Sequence, residues 1–190
     1  MTETLNHYLF ASGQDLEICQ GDITRETTDA IVNAANSQLR HGGGVAAAIA
    51  RRGGDVIDRE SREWVMANGL VTHGKPAVTS GGNLQCKSVI HAVGPVWGVG
   101  DEDAKLKEAI IGSLTTAEGL KAKSIAFPAI STGIYGFPVE RAAKIFMQTF
   151  NEYVKSHPRS ALEIVRVVLF DDMTAALFSK AFQDEYGTGE

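Results

Sequence analysis

Two spacings of apolar side chains run through this chain of 190 residues: one predicts short buried strands, the other helices that pack on a single face. His7 to Ala11 and Leu16 to Gln20 read as strands around the turn signal Ser12-Gly13-Gln14-Asp15, an opening hairpin that would start a mixed sheet. Ala30 to Ala34 is a third short apolar run and ends in Asn-Ala-Ala-Asn. Val45 to Arg52 is alanine-rich and predicts a helix stopped by Gly53-Gly54. Asp55 to Asn68 places Val56, Ile57, Trp64 and Val65 at helical spacing, with Gly69 as its C-terminal stop, and reads as a structural helix.

Ala77 to Ser80 and Ser88 to Val93 read as strands separated by a Gly-Gly-Asn turn, with Gly94-Pro95 ending the second. Asp103 to Ala122 predicts a long helix whose Leu106, Ala109, Ile110, Leu114, Ala117 and Leu120 form one face. Ser124 to Phe127 follows as a strand. Pro138 then stands near the start of a helix over Val139 to Ser156 that carries Ala142, Ile145, Phe146 and Phe150. Ile164 to Phe170 is a nearly continuous apolar strand, and Thr174 to Tyr186 a final helix. Strands alternating with helices over the later two thirds predict an α/β layered domain with buried central strands. No repeat, low-complexity tract or linker divides the chain, and 44% hydrophobic content suits one domain over residues 1–190.

Composition narrows the partners. The net charge of −5 provides no broad basic footprint, which argues against a long nucleic acid. Cys19 and Cys86 lie far apart in apolar stretches, without C-x-x-C spacing, and read as reduced core residues. Met1 to His7 is polar, with no cationic segment leading into an apolar run, and no apolar stretch approaches membrane-spanning length. The expectation is a cytoplasmic protein without a membrane anchor. The five histidines lack ligand spacing, so neither a metal nor another cofactor is expected. The absence of an apolar heptad leads to the expectation of a monomer.

The candidate chemistry lies in two glycine-rich runs, His41-Gly42-Gly43-Gly44-Val45 and Ser131-Thr132-Gly133-Ile134-Tyr135-Gly136, each where a strand gives way to a helix. Glycine lets the main chain approach a ligand closely, so successive N–H groups can turn inward at a helix N-terminus and cradle an anion. Each run alone is equally compatible with a tight turn; two together suit a diphosphate gripped from both sides. On so acidic a chain, main-chain amides and helix dipoles must do much of the work of Arg and Lys. Neither run continues into Gly-Lys-Ser/Thr, and the first lacks G-x-G-x-x-G, which disfavours a P-loop and a Rossmann site.

Gly21-Asp22-Ile23-Thr24, Ile31-Val32-Asn33-Ala34-Ala35-Asn36, His41 to Val45, Gly94-Pro95 and Phe127 to Gly136 occur in an order that resembles the macrodomain family of ADP-ribose-binding modules. The likeness spans roughly Ile18 to Asp171. It implies a three-layer α/β/α macrodomain fold with a mixed central sheet and a cleft at the strand ends that receives ADP-ribose or its derivatives. It also assigns roles. Asp22 would accept from the adenine amine, with the Ile23 N–H beside it; from the residues alone, Asp22 reads as the N-cap of a short turn. Phe170 would lie over adenine, where core packing is the plain alternative. Asn36 would reach the distal ribose, while Asn33 shapes the loop through a local turn-forming bond. Gly43, Gly44 and Val45 would face the diphosphate and distal ribose from one side, and Ser131, Thr132, Gly133, Ile134 and Tyr135 from the other.

One departure bears on activity. MacroD-type hydrolases carry an aspartate directly after the Gly-Gly-Gly-Val run, and here Ala46 stands there; the run with His41 is closer to archaeal-type ADP-ribose-binding macrodomains. The family likeness still favours a hydrolase, and without that aspartate its route would be substrate-assisted water attack. Its substrates would be mono-ADP-ribosylated proteins modified on acidic side chains, or related esters such as O-acetyl-ADP-ribose and the 1″-phosphate. The alternative is a non-catalytic reader of ADP-ribose or ADP-ribosylated proteins. His41 is a candidate general base beside Asn36, although a loop histidine also serves to order a loop or face solvent, and His91 reads as a hydrogen-bonded core residue.

Overall fold

The computed structural model describes residues 2–187; Met1 and residues 188–190, which the one-domain reading also includes, lie outside the described residues. Seven strands form one sheet: β1 (Glu3–Leu9), β2 (Asp15–Gln20), β3 (Ala30–Ala35), β4 (Ala77–Ser80), β5 (Ser88–Val93), β6 (Ser124–Phe127) and β7 (Ile164–Leu169), in the order β1-β2-β7-β6-β3-β5-β4. The central pairs β2–β7, β7–β6, β6–β3 and β3–β5 are parallel, while β1 and β4 join antiparallel at the two edges. The expected mixed sheet is present.

Among the described residues, five α-helices cover the sheet: α1 (Gly44–Gly53), α2 (Asp55–Asn68), α3 (Glu102–Gly119), α4 (Val139–Ser156) and α5 (Asp172–Tyr186). Alternation along the strands sends side chains to opposite faces. Val32 and Phe127 join a core with Leu106, Ile110, Phe146 and Phe178 from α3, α4 and α5. Ile31 and Ala126 join a second core with Ile49 and Ile57 from α1 and α2. The result is the predicted α/β/α layering, with the central strands buried on both sides.

The predicted boundaries hold for α2, β4, β5, β6 and α4 and fail where burial gives no period. β1 begins at Glu3 rather than His7 and ends at Leu9, because an edge strand exposed on both faces shows no apolar alternation. Residues 10–14 close the hairpin through Phe10 N–H to Gln14 O at 2.9 Å and Gly13 N–H to Phe10 O at 2.8 Å. Helix α3 stops at Gly119 instead of Ala122, since Lys121 takes a left-handed φ of 58°. Helix α5 starts two residues before Thr174, because Asp171 caps it by accepting from Thr174 N–H at 2.8 Å. Both cysteines are buried and free. No helix among the described residues is long and apolar enough to cross a membrane.

One irregularity in the sheet opens its surface. β3 and β6 share only the pairs Ala30↔Ile125 and Ile31↔Ala126; β6 ends one residue later at Phe127, while β3 runs on to Ala35. The chain therefore leaves these neighbouring strands for different sides, and a crevice opens beyond their carboxyl ends. Open α/β sheets take ligands at such a switch point.

Candidate functional site

A cleft of about 850 Å³ occupies that crevice. Its floor is the carboxyl ends of β2, β7, β6, β3 and β5, and its walls are the two glycine loops. Asp22, Ile23, Asn36, Gly43, Gly44, Val45, Ser131, Thr132, Gly133, Ile134, Tyr135 and Phe170 all line it. Of the predicted site residues, His41 alone does not.

The first wall ends in helix α1. Gly43 is its N-cap, extended at φ −164° and without a side chain to close the helix end, so the first amides of α1 remain free for a ligand. Gly44 takes a φ of 57°, in the region that favours glycine. A Cβ at Gly42 or Gly44 would meet nothing within 4 Å, whereas one at Gly43 would stand 3.3 Å from Ile134 Cδ1. The two loops thus come together over the cleft at Gly43 and Ile134.

The second wall is folded back on itself. Thr132 donates to Ala129 O from both its N–H at 3.2 Å and its Oγ1 at 2.8 Å. Gly136 N–H reaches Gly133 O at 3.0 Å, and Phe137 N–H reaches Ser131 O at 2.9 Å. These bonds leave the amides of Gly133, Ile134 and Tyr135 without an acceptor among the described residues. From behind, Trp97 N–H holds Tyr135 O at 2.9 Å, and the Trp97 ring packs edge-on against Phe137. Ser131 is the strained point: its φ is 68°, and its buried Oγ has no partner. Gly94 is where β5 meets this loop; a Cβ there would lie 2.1 Å from Ser131 Oγ.

The two ends of the cleft differ in chemistry. At the β2 and β7 end, Asp22 Oδ1 accepts from Thr24 N–H at 2.9 Å and Thr24 Oγ1 at 2.6 Å, which caps a 3-10 turn over Ile23–Arg25. Burial opposes ionisation of Asp22, but those bonds and the charges of Arg52 and Arg25 outweigh it and hold the carboxyl below its ordinary range. Its Oδ2 faces Arg25 at 3.6 Å. Phe170 lies beyond the end of β7 with 82% of its surface exposed, which rules out core packing. A bare aromatic ring beside an ionised acceptor suits a flat heterocycle with an exocyclic amine.

At the β3 end the structure corrects the expectations for Asn33 and His41. Asn36 lines the cleft, but its amide is engaged along its own loop: Nδ2 donates to Arg40 O at 2.7 Å and Oδ1 accepts from Arg40 N–H at 3.0 Å. Asn33 forms no local turn. It is fully buried, and its Nδ2 lies 3.0 Å from His91 Nδ1 and 3.3 Å from His41 Nδ1. An amide nitrogen only donates, so both Nδ1 atoms accept and both Nε2 atoms carry the proton. His91 then donates to Thr79 Oγ1 at 2.9 Å and His41 to Ser61 Oγ at 2.9 Å, with the two rings stacked at 5.2 Å.

His41 is therefore not a base at the cleft. It ties the first glycine loop to β3, β5 and α2. Burial lowers the basicity of both rings, to about 3 for His91, and keeps them neutral. Sequence spacing could not reveal this chain of bonds, because it joins residues from five segments. Among the described residues, no three His, Cys, Asp or Glu side chains gather as a metal site would need.

Comparison with known proteins agrees with this geometry. A model of the Macro domain matches residues 32–146. An uncharacterised protein of Thermotoga maritima is 50% identical over 90% of this chain, and the matched region spans 29% of that longer relative. An Oceanobacillus iheyensis macrodomain solved with ADP is 33% identical and superposes with a TM-score of 0.89 over 97% of each chain. A Trypanosoma brucei macrodomain solved in complex with ADP-ribose is 30% identical, with a TM-score of 0.80 over 88% of this chain and 68% of that one.

Proposed function

The chain belongs to the Macro domain family, and we propose that its cleft binds ADP-ribose and hydrolyses ADP-ribose from acidic side chains or related esters. The observation that carries the binding is the pair of glycine walls: free amides at the start of α1 face those of Gly133, Ile134 and Tyr135 across one cleft. A diphosphate between them would receive main-chain hydrogen bonds from both sides, as ordered donors aimed at an anion require. Adenine would then lie at the Asp22 and Phe170 end, and the distal ribose toward Asn36.

The family includes ADP-ribose hydrolases. In this chain, the residue where a MacroD-type enzyme has its aspartate is the buried Ala46. The carboxylates lining the cleft are Asp22 and Asp171, both at the adenine end. With His41 turned away, a phosphate oxygen of the substrate is the base that remains near the anomeric carbon. It would take a proton from a water held between the loops as the water oxygen bonds to the anomeric carbon, and the carboxylate of the target leaves with the electrons of the broken carbon–oxygen bond. Orientation of that water is the protein's contribution, worth up to roughly 7–11 kcal/mol in well-aligned reactions.

The test is release of free ADP-ribose from a protein mono-ADP-ribosylated on Asp or Glu, with wild type and Gly133→Glu in parallel. Gly133 has no positive φ, and a Cβ there meets nothing within 4 Å, so the glutamate fits the fold while filling the cleft with charge. Release by wild type and not by the variant is expected. Binding of ADP-ribose without release would make the protein a reader of the modification; normal binding by the variant would overturn the diphosphate assignment.

A further inference from the structure

We propose that Arg40 reads the charge of the group attached to the distal ribose, so that the cleft favours ADP-ribose derivatives whose anomeric substituent is an anion over those where it is neutral or cationic. This role rests on the ADP-ribose reading of the cleft. Charge is unevenly distributed along that cleft. The charged side chains lining it are Asp22, Asp171 and Arg40, the two carboxylates at the ends of β2 and β7 and the cation in the loop after β3. In the sheet order β2 and β3 are three strand spacings apart, about 14 Å. A ligand laid across the sheet with an amine-bearing ring at Asp22 brings its far end to Arg40.

Arg40 is also held in place without its side chain. Asn36 grips both its N–H and its carbonyl, and the preceding Leu39, at φ 53°, is buried against Ala35, Val71 and Val93. The side chain is exposed, and among the described residues no carboxylate lies within ion-pair distance of it. The Asn36 bonds use only the main chain of residue 40, and the strap's other bonds, Leu39 N–H to Asn36 O at 3.0 Å and Val71 N–H to Ser37 O at 2.9 Å, do not involve Arg40. Substitution there changes the charge at the cleft mouth and leaves the strap's own bonds intact.

A guanidinium remains charged at any working pH and pairs in a forked geometry with phosphate or carboxylate. A phosphate on the anomeric carbon would meet it in the ground state. A carboxylate leaving from an acyl ester would meet it as its charge develops. A guanidinium-linked ADP-ribose would instead bring like charge against it.

Isothermal titration with ADP-ribose and ADP-ribose 1″-phosphate gives the affinity ratio that isolates this contact. Wild type should favour the phosphorylated ligand. Arg40→Gln should reduce the ratio roughly five- to tenfold, Arg40→Glu by more, and Arg40→Lys should retain most of it. Rising salt should shrink the ratio in wild type and not in Arg40→Gln. An unchanged ratio in Arg40→Glu, with both ligands still bound, overturns the role of Arg40 and leaves ADP-ribose binding intact. Failure of wild type to bind either ligand overturns both readings.

Discussion

Single residues in this cleft carry costs that a ligand would relieve. Ser131 combines a left-handed φ with a buried hydroxyl that has no partner. Strain and lost hydrogen bonding of this kind cost on the order of 1–3 kcal/mol each, and persist where the surroundings impose them. Ser131→Ala removes the orphaned hydroxyl and keeps the backbone, so ligand-free stability should rise by about 1 kcal/mol while ADP-ribose affinity falls. Thermal unfolding and calorimetry on the same samples measure both; unchanged affinity would show the hydroxyl idle toward the ligand. Phe170→Ala should act in the opposite sense. With the ring 82% exposed, stability should hold, whereas binding should weaken by roughly 1–3 kcal/mol if the ring stacks on a base. The residues of the walls were legible because two glycine runs, each at a strand-to-helix junction, suit one anion between them however far apart they stand in sequence. The hydrogen-bond partners of Asn33, Asn36 and His41 were not, because a side chain's partner is set by packing. Asn36 bonds four residues on, and Asn33 bonds across strands.

At the level of elements, the first glycine loop rests on a relay of neutral polar groups from Ser61 in α2 through His41, Asn33 and His91 to Thr79 in β4. Such a relay is strong only while every donor keeps its acceptor. Asn33 Oδ1 is already buried without a partner, which leaves little slack. Thr79→Val keeps the shape of the β4 side chain and deletes the acceptor for His91 Nε2–H. It should cost about 1–3 kcal/mol in urea unfolding. An unaffected midpoint would mean that His91 is held by packing alone. Elements with one buried face were legible in the pattern of apolar residues, as with α4, whose Ala142, Ile145, Phe146 and Phe150 are all buried. β1 was misplaced for the converse reason: a strand wet on both faces has no period to read. The order of strands, which creates the switch point and hence the cleft, is written in no local pattern; likeness to a family implied only a mixed central sheet with a cleft at its strand ends.

For the whole molecule, the same relay sets the response to acid. His91 is fully buried, and desolvation, with a smaller contribution from His41, lowers its folded pKa to about 3 from an ordinary 6.5. Above pH 6.5 the ring is neutral in both folded and unfolded chains, and stability does not depend on it. Below that, the unfolded chain takes up the proton and the folded one does not, so unfolding is favoured by about 1.4 kcal/mol per pH unit until the folded pKa is reached. The loss over that window is on the order of 5 kcal/mol, comparable to the whole stability of many domains. His41, also lowered, steepens the upper part of the slope. Asp22, Asp29 and Asp171, held below their ordinary range, begin to contribute only below about pH 4, where their protonation in the unfolded chain outruns that in the fold. Urea unfolding from pH 7.5 downward should therefore show stability falling from about pH 6.5, above the window in which Asp22, Asp29 and Asp171 contribute. His91→Gln, polar but without a titrating group, should flatten the curve between about pH 6 and 4.5 whatever its stability at neutral pH. A slope as steep in the variant as in wild type would show that His91 does not set the acid sensitivity, and the coupling of acid to the glycine loop through His91 would fall with it.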